Sequence, residues 1–108
     1  VAPVATDDEA GEQAQMAFDD YRARALAEGY DEVLLRSWPA DLQIDTHAHA
    51  FALKARVVSG EMWLTVGSET RHLLPGDEFE LAAAARHAER YGHTGAAFWL
   101  ARRNPSAE

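Results

Sequence analysis

The stretch Ile44-Asp45-Thr46-His47-Ala48-His49-Ala50-Phe51-Ala52-Leu53 decides how this chain folds. Its residues sort into two alternating sets: Ile44, Thr46, Ala48, Ala50 and Ala52 on one side, Asp45, His47, His49, Phe51 and Leu53 on the other. A period of two belongs to a strand, in which successive side chains point to opposite faces. On a strand, residues two apart have Cα atoms about 6–7 Å from one another. The rings of His47 and His49 are therefore expected on one face, where a neutral imidazole pair makes half of a divalent-metal site. Two surface or core histidines would show the same spacing.

Working outward, the strand signals continue in both directions. Val33–Trp38 is a β run broken by Pro39, and Ala55–Val58 is followed by the turn signal Ser59-Gly60. Glu61–Val66 alternates up to Gly67-Ser68, and His72–Leu74 meets Pro75-Gly76-Asp77, a strong turn sequence. Phe79–Leu81, Arg86–Tyr91 and Ala96–Ala101 complete the set, with Ala82–Ala85 read as a tight turn. Turns at such short intervals predict an all-β barrel or sandwich of roughly six to eight strands.

The N-terminal part reads differently. Phe18, Tyr21, Ala25 and Leu26 recur at helical spacing and predict a helix from about Glu12 to Glu28. Asp7 or Asp8 is its expected N-cap and Gly29 its left-handed C-cap. Val1 to about Ala10 shows no periodicity and reads as a loose arm. The expected organisation is an arm and helix over 1–30, a β domain over 31–103 and a polar tail over 104–108.

Composition narrows the function classes. At 108 residues there is room for one domain and one core. The absence of cysteine excludes disulfides, thiolate metal sites and a thiol nucleophile. Lys plus Arg number 10 against 18 Asp plus Glu, a formal charge of −8, which repels phosphate backbones and argues against nucleic-acid binding. No apolar run approaches the roughly 20 residues of a membrane span. Val1–Asp8 has neither the basic nor the apolar segment of a secretory signal, so the expected location is the cytoplasm.

Taken together, His47-Ala48-His49, Gly60, Pro75-Gly76-Asp77 and His87 resemble the motif pair of the cupin superfamily, as in small single-domain bacterial members. The first motif runs glycine, H-x-H, glutamate, glycine. The second runs glycine, proline, glycine, histidine, asparagine. His47, His49 and Gly60 match the first, Gly76 and His87 the second, over a region from about Val33 to Arg103. Where the motifs have glycine, this chain has Asp41 and Ala84, and the proline and asparagine positions hold Ala82 and Tyr91. The glutamate position falls on Leu53, or on Lys54 with the longer spacer.

The resemblance implies an antiparallel β-barrel of the jelly-roll (double-stranded β-helix) type, with the helix outside. It also implies a metal site of His47, His49 and His87 without the glutamate, and a homodimer. Imidazole-only ligation suits Fe, Zn, Ni or Cu. The competing arrangement is three histidines hydrogen-bonded to one another or to Tyr91. Around the site, Glu89 and Tyr91 alternate with His87 and so share its face as a possible acid–base or ligand-binding pair. Asp45 is expected to orient a ring from behind, and Phe51 and Leu53 to line an apolar pocket. No role falls to His72 or His93, and Arg56 and Arg86 are the arginines considered for substrate contact. Three functions follow: a metal-dependent dioxygenase or isomerase acting on a small molecule, a non-catalytic small-molecule sensor, or a metal-free dimeric barrel.

Overall fold

The computed structural model describes residues 3–104, with side chains from Gln15 onward. One helix, α1 (Pro3–Ala27), precedes six strands: β1 (Glu32–Trp38), β2 (Gln43–His47), β3 (Ala52–Val66), β4 (Glu69–Leu73), β5 (Glu78–Leu81) and β6 (His87–Arg103). All pairings are antiparallel. The two long strands, β3 and β6, pair with each other along their lengths and organise everything else.

Each long strand serves two leaves. In the first leaf, β5 joins the early part of β3 and β1 joins the late part of β6. In the second, β4 joins the late part of β3 and β2 the early part of β6. The inner faces share one core, with Leu53, Ala55, Val57, Phe79, Phe98 and Leu100 from the first leaf meeting Met62, Leu64, Leu73 and Tyr91 from the second. The strand order does not close into a ring, so the expected barrel is a folded-over jelly roll with open edges.

Two turn signals prove to be bends within strands. The Ser59-Gly60 pair does not end a strand: β3 runs straight through it with register shifts on either side. Likewise Arg86–Tyr91 and Ala96–Ala101 form one strand, β6, whose Gly92–Gly95 segment bulges against β3. The bulges let both strands pass from one leaf to the other. Gly60 has φ +76°, and a Cβ there would lie 2.0 Å from the Gly95 carbonyl oxygen, so the crossing needs its bare backbone.

The deciding stretch also corrects its own reading. Ile44–Leu53 is not one strand: β2 ends at His47 and β3 begins at Ala52. Within β2, Ile44 pairs with Glu89 and His47 with His87, so one extra residue bulges between them. That bulge inverts the parity. Ile44 turns inward with His47, and Asp45 turns out to solvent.

The helix begins at Pro3, upstream of the patterned segment, where a fixed φ suits a first turn. Asp7 and Asp8, expected as its N-cap, lie inside it. Its C-terminus is as expected: Gly29 has φ +100°, with Tyr30 N–H bonded to Ala25 O and Gly29 N–H to Leu26 O, the Schellman pattern. Arg103 from β6 caps the same end by donating to the Glu28 and Gly29 carbonyls. Phe18, Tyr21 and Ala25 pack on Trp99 and Ala101 of the first leaf's outer face, with Tyr21 and Trp99 ring centroids 5.4 Å apart. Burying two such rings is worth roughly 3–6 kcal/mol and holds the helix's C-terminal half on the sheet. Leu26, read as part of that stripe, is instead exposed. Residues 105–108 of the expected tail lie outside the described residues.

Candidate metal centre

Three histidines from three different segments meet inside the second leaf. His47 closes β2, His49 follows it in the connection to β3, and His87 opens β6. One ring nitrogen from each lies within 4.8 Å of the others. Ring centroids are 4.3 Å apart for His47 and His87, 4.8 Å for His47 and His49, and 5.2 Å for His49 and His87. They converge through the bulge and the connection rather than by simple alternation along one strand.

Backbone contacts fix which nitrogen faces the centre. His47 Nδ1 lies 2.9 Å from the Asp45 carbonyl and His87 Nδ1 lies 3.0 Å from the Ala85 carbonyl. A carbonyl only accepts, so Nδ1 carries the proton in both rings and Nε2 presents a lone pair. Asp45 thus orients His47 through its main chain, while its side chain belongs to an outer hollow beside Trp63 and Arg90. His49 stacks on Phe51, centroids 4.7 Å apart and planes within 9°. Burial, reinforced by the neighbouring His47 and His87, lowers the His49 pKa below its ordinary 6.5, which favours the neutral, ligating form.

Glu89 supplies a carboxylate to the same place. Its Oε2 lies 3.5 Å from His47 Nε2 and 3.8 Å from His87 Nε2. Its other oxygen accepts a 2.6 Å hydrogen bond from the Tyr91 hydroxyl. Two imine lone pairs and a carboxylate oxygen therefore face one another, an arrangement that repels unless a cation or proton lies between them. The three imidazoles fit a divalent ion on chemical grounds, with the Glu89 carboxylate beside it. Leu53, at the motif's glutamate position, is buried and lines the cavity, and Lys54 points outward to Glu28, 2.6 Å away.

The histidines and Glu89 open on a cavity of about 430 Å³ between the leaves. Trp38, Ile44, Phe51, Phe79 and Phe98 make its walls largely apolar. Arg36 and Arg102 also line it, and sequence reading missed both. Their signal was present but masked: Arg36 sits in a β run, and Arg102 follows the last recognised strand residue. The arginines considered instead lie elsewhere, with Arg56 paired to Glu78 near the helix and Arg86 exposed. His72 pairs with Glu61 and stacks on Trp63, and His93 pairs with Asp41, both away from the cavity.

The backbone supports the motif register even where residues depart from it. Gly60 and Gly76 have φ of 76° and 96°, while Asp41 and Ala84, at the two substituted glycine positions, have φ of 60° and 66°. The turn keeps its left-handed residue although alanine replaces glycine, because the Ala84 N–H holds the His49 carbonyl at 2.7 Å.

Two bent strands carrying a jelly roll, with histidines from two motifs meeting between its leaves, define the cupin fold. Structural comparison bears this out. The chain resembles the Schizosaccharomyces pombe Cnp3 cupin domain (TM-score 0.61, 11% identity), over 68% of this chain and 52% of that one. It also resembles an RmlC-like cupin from Shewanella frigidimarina (TM-score 0.60, 20% identity), over 74% and 70% of the respective chains. The DMSP lyase DddQ from Ruegeria pomeroyi is similar as well (TM-score 0.62, 22% identity), over 70% of this chain and 39% of that one. This chain thus spans about half or less of the length of two of these proteins. No family model and no curated protein matches the sequence. Among the described residues, no helix is long and apolar enough to cross a membrane.

Proposed function

We propose that this protein is a metal-dependent enzyme that moves a proton on a small molecule, in an isomerisation or an elimination. One observation carries the reading: a carboxylate, Glu89, stands beside three convergent histidines in an apolar cavity, with one oxygen tied to Tyr91 and the other directed at the rings. His47 and His87 would hold the ion through Nε2, with His49 as third ligand. A bound divalent ion supplies Lewis acidity at a substrate oxygen. Glu89 Oε2 takes or returns the proton, and the Tyr91 hydroxyl keeps that carboxylate in place. The apolar walls exclude water and strengthen both effects. The resemblance to a DMSP lyase fits an elimination, and the motif resemblance fits an isomerase or a dioxygenase.

The test has two parts. Untagged protein is analysed for Fe, Zn, Ni and Cu, then incubated in D₂O with a panel of small organic acids and followed by NMR. The expected result is one divalent ion per chain and metal-dependent deuterium incorporation that Glu89→Gln abolishes. Protein that takes up no metal, or exchange unaffected by Glu89→Gln, overturns the reading.

We also propose a homodimer. The helix covers the outer face of the first leaf, whereas Trp63 on the outer face of the second is only half-buried. Sedimentation of a clean monomer at micromolar concentration contradicts this assembly.

A further inference from the structure

The cavity has a second chemical pole. Partners in an antiparallel pair share a face, so the register of β1 with β6 places Glu32 and Arg102, Leu34 and Leu100, and Arg36 and Phe98 on the inner side of the first leaf. Two arginines, the exposed Arg36 and the half-buried Arg102, thus line the cavity, together with the histidines and Glu89 carried by the second leaf. In a chain of net charge −8, this lining holds two cations and one carboxylate.

Neither arginine is fully used by the fold. Arg102 pairs with Glu32 through one terminal nitrogen and lies over the Phe51 ring, 4.9 Å from its centroid. Its Nε is buried and has no hydrogen-bond partner among the described residues. That Nε is closed off from anything the size of an oxygen atom, so what Arg102 can offer an oxyanion is the exposed part of its guanidinium, as a charge-assisted donor. Arg36 makes no ion pair among the described residues. An inward charge on an edge strand can serve to blunt that edge, and a lysine would do so equally well. Two guanidiniums do more: Arg36 lies opposite Phe98 and Arg102 four residues further along β6, so together they make this side of an apolar cavity positive, and either fork matches a carboxylate.

We infer that Arg36 and Arg102 form an anion subsite, and that the ligand is a small organic acid with an apolar body. Its carboxylate sits on the arginines, its body lies against Phe51, Phe79 and Phe98, and its far end reaches the histidines. This rests on reading the cavity as a small-molecule site, and not on the presence of a metal.

The test is calorimetric titration of the chelator-treated 108-residue chain with hexanoate and with hexanamide, which share a skeleton and differ in charge. Hexanoate should bind about tenfold or more tightly than the amide, as expected for charge-assisted hydrogen bonds. Arg36→Gln and Arg102→Gln should each remove most of that preference, and Arg36→Lys should restore it only in part. Arg36→Gln is the deciding variant, because Arg102→Gln leaves Glu32 unpaired and can disturb the fold. Zinc uptake by Arg36→Gln should equal that of the wild type. Equal binding of acid and amide, no binding of hexanoate at millimolar concentration, or a preference that survives Arg36→Gln overturns the subsite. A preference seen only in zinc-loaded protein puts the carboxylate on the ion and likewise overturns it. A preference in protein that takes up no zinc upholds the arginines and removes the metal reading instead.

Discussion

Glu89 and Tyr91, neighbours on the inner face of β6, are joined by a 2.6 Å hydrogen bond that leaves the second Glu89 oxygen 3.5 Å from His47 Nε2. Tyr91 is buried among apolar core residues, so its hydroxyl has a fixed position and the carboxylate inherits it. A hydrogen bond to a carboxylate is worth more than one between neutral groups. Tyr91→Phe should therefore cost about 1.5–3 kcal/mol in urea unfolding. Tyr21→Phe is the control, since its hydroxyl makes only a 3.4 Å contact to the Lys54 carbonyl. That variant should cost less than about 1 kcal/mol. Equal costs would mean that Glu89 does not depend on Tyr91.

His47→Ala, His49→Ala and His87→Ala should each remove most bound metal. His72→Ala and His93→Ala should retain it, because their partners are Glu61 and Asp41, outside the cavity. Metal content by elemental analysis separates the two groups. Loss in the His72 or His93 variants would move the site.

Alkaline titration should read the buried phenols. Burial is the first cause that raises the pKa of both Tyr21 and Tyr91 above 10.0, with Glu78 adding to it for Tyr21 and the Glu89 hydrogen bond for Tyr91. Above pH 10.0 the unfolded chain loses these protons while the native chain keeps them. Their contribution to stability is thus complete below pH 10.0 and declines as pH rises beyond it. Phenolate absorbance from these two tyrosines should appear only together with loss of the near-UV circular dichroism. Full ionisation of all three tyrosines in a native spectrum contradicts this.

Two substitutions probe the left-handed positions in opposite directions. Ala84→Gly should stabilise by about 1 kcal/mol, since φ 66° strains alanine and suits glycine. Gly60→Ala should destabilise by about 2 kcal/mol or more, because its Cβ would collide with the Gly95 carbonyl. Gly76→Ala, with the same sign of φ but open space around it, should cost only about 1 kcal/mol. Thermal melts rank the three, and a Gly60→Ala no worse than Gly76→Ala would show that the strands separate there.

Leu53→Glu places a second carboxylate in the cavity that the histidines line, at the motif's glutamate position and opposite Arg102 across the β3–β6 pair. Added zinc should raise its melting temperature more than that of the wild type, whereas an acid held by Arg102 alone would give no such gain. Lys54→Glu, on the opposite face against Glu28, should gain nothing from zinc. The reverse outcome would put the strand register off by one.

Much of the fold was legible because it follows from local rules. The turn at Pro75-Gly76-Asp77, the helix stop at Gly29 and the inward placement of Leu53 each follow from backbone preference or a period of two. The ends of β3 and β6 were not legible. Gly60 and Gly95 read locally as turn formers, and the same positive φ also builds a bulge when a partner strand lies alongside.

By itself, then, the sequence determined an all-β chain with a helix ahead of it, from side-chain period and glycine placement. Its resemblance to the cupin motifs singled out His47, His49 and His87, which the fold brings together. Tertiary structure alone decided that Asp45 turns outward, because the bulge opposite Glu89 depends on how β2 pairs with β6. It also decided that Glu89 reaches the histidines and that Arg36 and Arg102 share their cavity. Arg36 and His87 lie in segments far apart in the chain. Only pairing both β1 and β2 with β6, whose bend folds one leaf over the other, gives them a common cavity.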